Sequence, residues 1–317
     1  MTALGLLGAV LVGCGREAAE TAPVARAEKS AGTTAPAPHA TATPPEPARG
    51  PAAPPTMAPG PGGRTPVYTH RTKPAGGATA KDAEKGAGKG SQKAAEKGAG
   101  KVAEKVAEKV VALTFDADMT ADQGPRAAQG ERFDNPQLIA TLRRLGVDAT
   151  VFMTGRWAEE YPDQAKSIGG DPRFEIANHS YSHYAFASPC YGLPTVPGPD
   201  MAEDVQRAFT SFRDAGAVNV VPYFRFPGGC YDDAALRALA PTGVTAVQWD
   251  VVSGDAFAKD ADAVAEQVLD GVRPGSLVVM HCTRSAAPVT EQAVRRIVPE
   301  LRARGYRFVK VSELMRG

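Results

Sequence analysis

VVALTFD at residues 110–116, PQLIATLRRLG at 136–146 and DATVFMT at 148–154 follow one another along the chain. The outer runs are short and β-rich, while the middle one carries apolar residues at helical spacing. The alternation continues, with β-rich runs at 174–178, 222–226, 244–251, 276–282 and 306–311. Between them lie amphipathic stretches such as AEDVQRAFTSFRDAG, DAALRALA and EQAVRRIVPELRARG. Strand and helix in alternation predict an α/β domain on a parallel sheet, open or closed into a barrel. Seven strands with helical connections suit a barrel one unit short of eight.

The reactive residues fall at the ends of these strands. Asp116 and Asp118 end the first, His179 and His183 follow the third, and Arg225 ends the fourth. Asp250 and Asp255 lie at the end of the fifth, and His281 ends the sixth. In a parallel α/β barrel all strand C-termini open on one face, where the connecting loops build the active site. The spacing of His179 and His183 would suit a helical zinc-protease motif, but that motif needs Glu after the first His. Here Ser180 follows, and a strand precedes. Two His and one carboxylate instead make a three-ligand site with an open position, suited to a divalent ion such as zinc. A second carboxylate to take a proton from water, and a further His to protonate a leaving group, complete the inventory for metal-assisted hydrolysis of an amide or ester.

The segments ALTFDAD, NHSYSH, RFPGG, WDVVSGD and LVVMH occur in this order. With them the chain resembles the polysaccharide deacetylase (NodB-homology) family, carbohydrate esterase family four, over nearly all of residues 109–315. The resemblance implies a distorted (β/α) barrel, here seven-stranded, and removal of acetyl groups from N-acetylated glycans such as peptidoglycan or chitin-like oligosaccharides. It implies Asp116 as catalytic base, His179 and His183 as metal ligands, and Ser180 as a brace of their loop. Arg225 matches the arginine that holds the base, Gly228 the oxyanion donor through its N–H, and His281 the general acid. Zinc is the expected ion, with cobalt or nickel as alternatives.

Two motifs depart from the family pattern. The aspartate expected beside Asp116 is replaced by Ala117, which leaves Asp118, on the same strand face, as the candidate third ligand. The fourth motif, usually Asp-Ser-x-Asp-Trp, reads Val252-Ser253-Gly254-Asp255-Ala256. Asp250, two residues earlier on the same face, is therefore expected to supply the carboxylate that tunes His281, with Asp255 in a supporting place. An O-acetyl esterase acting on xylan, and a glycan-binding domain without turnover, are the rival readings.

The rest of the chain differs in composition. Residues 1–14, MTALGLLGAVLVGC, have the size of a signal-peptide core, too short to span a bilayer, and end like a lipoprotein signal at Cys14. No Lys or Arg precedes that run. Residues 15–80, rich in Ala, Pro, Thr and Gly, are expected to be a disordered linker. Lysine then recurs every fourth residue from Lys81 to Lys109, which reads as a spacer before the domain at 110–317. A net charge of +1 gives no sign of a nucleic-acid partner. The reading is an exported monomer, lipid-anchored outside the bacterial membrane or secreted, with an acetylated polysaccharide as partner. In such a compartment two of Cys190, Cys230 and Cys282 are expected to pair. Cys190–Cys230 is favoured because both lie just beyond site motifs, although three pairings are open.

Overall fold

The computed structural model describes residues 53–71 and 108–316. One parallel sheet contains β1 (Val67–Tyr68), β2 (Val110–Ala117), β3 (Ala149–Met153), β4 (Phe174–Asn178), β5 (Val220–Phe224), β6 (Thr245–Val247), β7 (Val251–Val252), β8 (Ser276–His281) and β9 (Arg307–Phe308). The order is β1-β6-β5-β4-β3-β2-β8-β7, with β9 paired to the first residues of β2. The strand expected at 244–251 is broken in two. Its front, β6, pairs with β5, and its end, β7, pairs with β8. One bent segment thus meets both ends of the curled sheet, and the Asp250 N–H donates to the Leu277 carbonyl at 3.2 Å. This is the sense in which the barrel is distorted.

The helix Pro136–Leu145 illustrates how local sequence places the elements. Asn135 caps it by accepting the Leu138 N–H at 3.1 Å, and Gly146 ends it with a left-handed φ of 61°. Its buried Leu138, Ile139 and Leu142 join the outer core.

All eight residues of β2 are buried, and their parity divides them between two cores. Val111, Leu113, Phe115 and Ala117 pack among the helices, whereas Val110 and Ala112 face the barrel interior with Phe152, Ala177, Tyr223 and Leu277. Because strand side chains alternate, Thr114 and Asp116 continue the inner face. The barrel is therefore apolar at its base and polar where the strands end.

One expectation needs correcting. Part of the supposed linker, residues 53–71, is ordered and packed on the domain. β1 extends the sheet beside β6, the Met57 N–H donates to Thr245 Oγ1 at 3.1 Å, and Tyr223 Oη donates to the Pro55 carbonyl at 2.8 Å. The Arg71 N–H then donates to the Gly275 carbonyl at 3.0 Å, just before β8. The segment runs from β6 to the foot of β8, along the seam left by the broken strand. Its Ala/Pro-rich composition conceals this because most of its bonds are made by backbone groups, with Arg64 Nη1 to Asp233 Oδ1 at 2.8 Å a side-chain exception. A chain beginning at Lys109 should melt about 5 °C or more below one beginning at Ala53, at ~2–4 °C per kcal/mol lost. Equal melting temperatures by calorimetry would refute that docking.

Arg71 Nη2 also donates to the Glu108 carbonyl at 3.2 Å. The two ends of the stretch 72–107 therefore lie together at the foot of the barrel. Residues 72–107, which hold the lysine repeat up to its last two residues, the candidate signal at 1–14 with Cys14, and the linker up to residue 52 lie outside the described residues.

Candidate active site

The sheet register places Asp116 of β2 directly beside His281 of β8. Arg225, fully buried just after β5, reaches across the interior and donates from Nη1 to Asp116 Oδ1 at 2.6 Å. The same nitrogen donates to Thr114 Oγ1 at 2.8 Å, and Nε donates to the Val247 carbonyl at 3.2 Å. The guanidinium lies 3.8 Å from the Phe152 ring centroid, so aromatic and polar walls both fix it. Burial alone would raise the Asp116 pKa, but Arg225 and then His179 and His281 hold the carboxyl below its ordinary range. Asp116 is an ionised acceptor at neutral pH.

The imidazole loop follows β4. Asn178 Oδ1 accepts the Ser180 N–H at 2.8 Å, and Ser180 Oγ accepts the His183 N–H at 2.8 Å. These bonds support left-handed φ values of 71° at Ser180 and 57° at His183. His179 Nδ1 lies 2.9 Å from the Arg225 carbonyl, which leaves Nε2 to face the carboxylates. That Nε2 is 3.7 Å from Asp116 Oδ2 and 3.7 Å from Asp118 Oδ1. Burial lowers the His183 pKa to about 4, against the raising effect of Asp118, so its ring is neutral and able to ligate.

Asp118, His179 and His183 each present one donor atom, all within 4.8 Å of one another. Asp118 Oδ1 is buried and has no hydrogen-bond partner among the described residues. A buried carboxylate oxygen without a partner is costly, and a cation between it and two imidazoles would satisfy it. The donor set fits a zinc-like dication with an open position. Thr283 Oγ1 accepts the Asp118 N–H at 2.9 Å, a support that sequence reading missed because nothing in a lone Thr marks it.

His281 is gripped by Asp255, not by Asp250. Asp255 Oδ1 lies 2.8 Å from His281 Nδ1, and Oδ2 accepts the His281 N–H at 2.8 Å. Ser253 Oγ and Thr290 Oγ1 donate to the same carboxylate at 2.8 and 2.7 Å. Burial opposes the imidazolium, but the Asp255 bond and charge, with Asp118 and Asp116 beyond, push its pKa up to about 10. Asp250 sits at the other end of β8, where its carboxylate accepts Ser276 Oγ at 2.9 Å and the Leu277 N–H at 2.6 Å. The expectation for Asp250 fails because the chain turns back between β6 and β7. Parity from Val252 no longer places a side chain once the strand is broken. Asp250 caps the start of β8 instead.

Gly228 completes the rim, with φ of 63°. Among the described residues its N–H donates to no acceptor. A Cβ there would come within 2.7 Å of Cys190 Sγ, so only glycine fits. Cys190 is joined to Cys230, with Cα atoms 5.9 Å apart, and Cys282 is buried and unpaired.

Comparison with known proteins agrees with this geometry. The family model described as Polysaccharide deacetylase matches residues 103–247. A peptidoglycan-N-acetylglucosamine deacetylase of Bacillus cereus is 30% identical over 210 residues, which cover 65% of this chain and 88% of that protein. A chitooligosaccharide deacetylase of Azorhizobium caulinodans is 27% identical over 199 residues, covering 59% and 89% respectively. Among solved structures, a pseudoenzyme of carbohydrate esterase family four from Bacillus anthracis superposes with a TM-score of 0.53 at 25% identity, covering 66% of each chain. The chain belongs to the polysaccharide deacetylase family.

Proposed function

We propose that this chain is a metal-dependent deacetylase of N-acetylated glycans, with peptidoglycan its substrate, held at the outer face of a bacterial membrane through Cys14. The observation that carries the metal dependence is the unpartnered Asp118 oxygen facing His179 and His183. Those three residues would hold the ion, which when bound polarises the acetamide carbonyl and acidifies water. Asp116, ionised and fixed by Arg225, accepts the proton of the attacking water. The Gly228 N–H stands ready to receive the negative charge that develops on the carbonyl oxygen. His281, kept protonated by Asp255, delivers a proton to the departing amine, so the C–N bond breaks to give acetate and a free amino sugar. Substrate chemistry is supported by the two relatives above, whose names give peptidoglycan N-acetylglucosamine and chitooligosaccharide.

A fold-level likeness to a pseudoenzyme favours a glycan-binding domain without turnover as the second reading. Against it stands a complete set of ionised base, charged acid and free oxyanion donor around one potential metal site. Acetate release by the full chain from peptidoglycan, chito-oligosaccharide and acetylated xylan, with and without chelator, decides among the readings. Release from the N-acetylated substrates that chelator stops is expected. Release from xylan alone would establish the esterase, and none from any substrate with added zinc, cobalt or nickel would establish the silent domain. Recovery in the membrane fraction, lost in Cys14→Ser, tests the anchor. Asp118→Ala should weaken zinc binding by ~10-fold or more, since it removes one of three protein ligands. Unchanged affinity by competition with a chromogenic chelator would remove Asp118 from the site.

A further inference from the structure

Among the described residues, four that are not glycine hold a positive φ: Ser180, His183, Tyr191 and Phe257. Such backbone is disfavoured and persists where its surroundings over-determine it, often at functional sites. Ser180 and His183 belong to the imidazole loop. The other two are the most exposed aromatic side chains among the described residues, Tyr191 at 88% and Phe257 at 79%. An exposed tyrosine by itself needs no explanation. One held at a φ of 48°, directly after a disulfide cysteine, does.

Tyr191 is fixed from both sides. Cys190 before it is bonded to Cys230, and the Cys190 carbonyl accepts the Leu193 N–H at 2.8 Å. Its ring comes up against Gly228: a Cβ at that position would lie 3.2 Å from Tyr191 Cδ2. The space that a side chain at 228 would enter is thus held by the disulfide and by a ring borrowed from another loop. Gly228 is the residue whose N–H is left free at the rim, three positions from Arg225. A water-facing aromatic ring on a constrained backbone therefore stands against the glycine whose N–H is the expected partner of the acetamide oxygen. Phe257 has no contact of this kind with the rim glycine.

We propose that Tyr191 is a specificity-determining residue: its ring packs against the C–H face of the hexosamine unit at or next to the reacting acetamide. The Cys190–Cys230 disulfide holds the ring in place for that contact. Sugar rings carry an apolar face of C–H groups, and a tyrosine offers a matching flat surface with few rotamers to freeze. This inference rests on the glycan deacetylase reading.

The test uses the full chain and penta-N-acetylchitopentaose. KM and kcat are measured on zinc-loaded protein, and Kd by calorimetry on chelator-treated protein. Tyr191→Ala should raise KM and Kd by ~3–10-fold with kcat within about twofold, as expected for a ring contact made equally in ground and transition states. Tyr191→Phe, which keeps the ring, should match the wild type. The double variant Cys190→Ser with Cys230→Ser should reproduce the Tyr191→Ala increase. The proposal is overturned if Tyr191→Ala keeps the wild-type KM and Kd, if only its kcat falls, or if wild-type protein does not bind the oligosaccharide. Absence of acetate release by wild-type protein would instead overturn the deacetylase reading, while Kd still decides the role of Tyr191.

Discussion

Asp116→Asn should lower acetate release by ~10²–10⁴-fold, the range expected for loss of a positioned general base. The substitution keeps the shape and one acceptor for Arg225 Nη1, now 2.6 Å from Asp116 Oδ1, but removes the charge that neutralises a fully buried guanidinium. Breaking a buried pair costs about 3–5 kcal/mol when one charge is left alone. The asparagine oxygen will offset part of this. A protein of ordinary stability, about 5–15 kcal/mol, stays folded after such a loss unless it starts at the bottom of that range. Circular dichroism at the assay temperature checks this directly. Activity within tenfold of the wild type, in protein shown to be folded, would mean that the base is another residue.

The second large effect concerns His281. Asp255→Asn should lower the His281 pKa from about 10 by several units in chelator-treated protein, read by NMR titration of the ring. The direction follows from the forces named above: burial opposes the charged ring, and Asp255 is the chief group that overcomes it. With that charge gone, burial is left facing only the weaker pull of Asp118 and Asp116. The acid needed for leaving-group protonation is present below its pKa and lost above it. The alkaline limb of the kcat profile must therefore move to lower pH in Asp255→Asn, and the rate at pH 8 must fall. Asp250→Asn, which alters a carboxylate bonded to Ser276 and Leu277 at the far end of β8, should leave the limb in place. A ring that titrates within one unit of wild type in Asp255→Asn would separate Asp255 from the acid.

The α/β class and the gathering of reactive residues at strand ends were legible because they rest on periodicity. The parity of Val110, Ala112, Thr114 and Asp116 is written in the chain and survives folding. Asp118, displaced by one residue from its expected place, was traceable by the same parity, and its carboxylate does face His179. Asp250 was misplaced by that rule because a rule of alternation fails where a strand breaks, and nothing in VTAVQWDVV announces the break. The ordered stretch at residues 53–71 was hidden for a different reason. Its contacts are largely backbone bonds to Thr245, Leu236, Tyr223 and Gly275, which leave little trace in composition.

The meeting of Arg71 and Glu108 at the foot of the barrel sets a limit on span. Whatever lies between them begins and ends at one point, so the lysine repeat adds no length between Cys14 and the domain. Only residues 15–52 count toward that distance. At ~3.3–3.6 Å per residue their fully stretched length is roughly 130 Å, against roughly 330 Å if the connection ran to residue 109. Cutting the chain within the lysine repeat should likewise leave the domain joined to its N-terminal part for as long as β1 stays paired with β6.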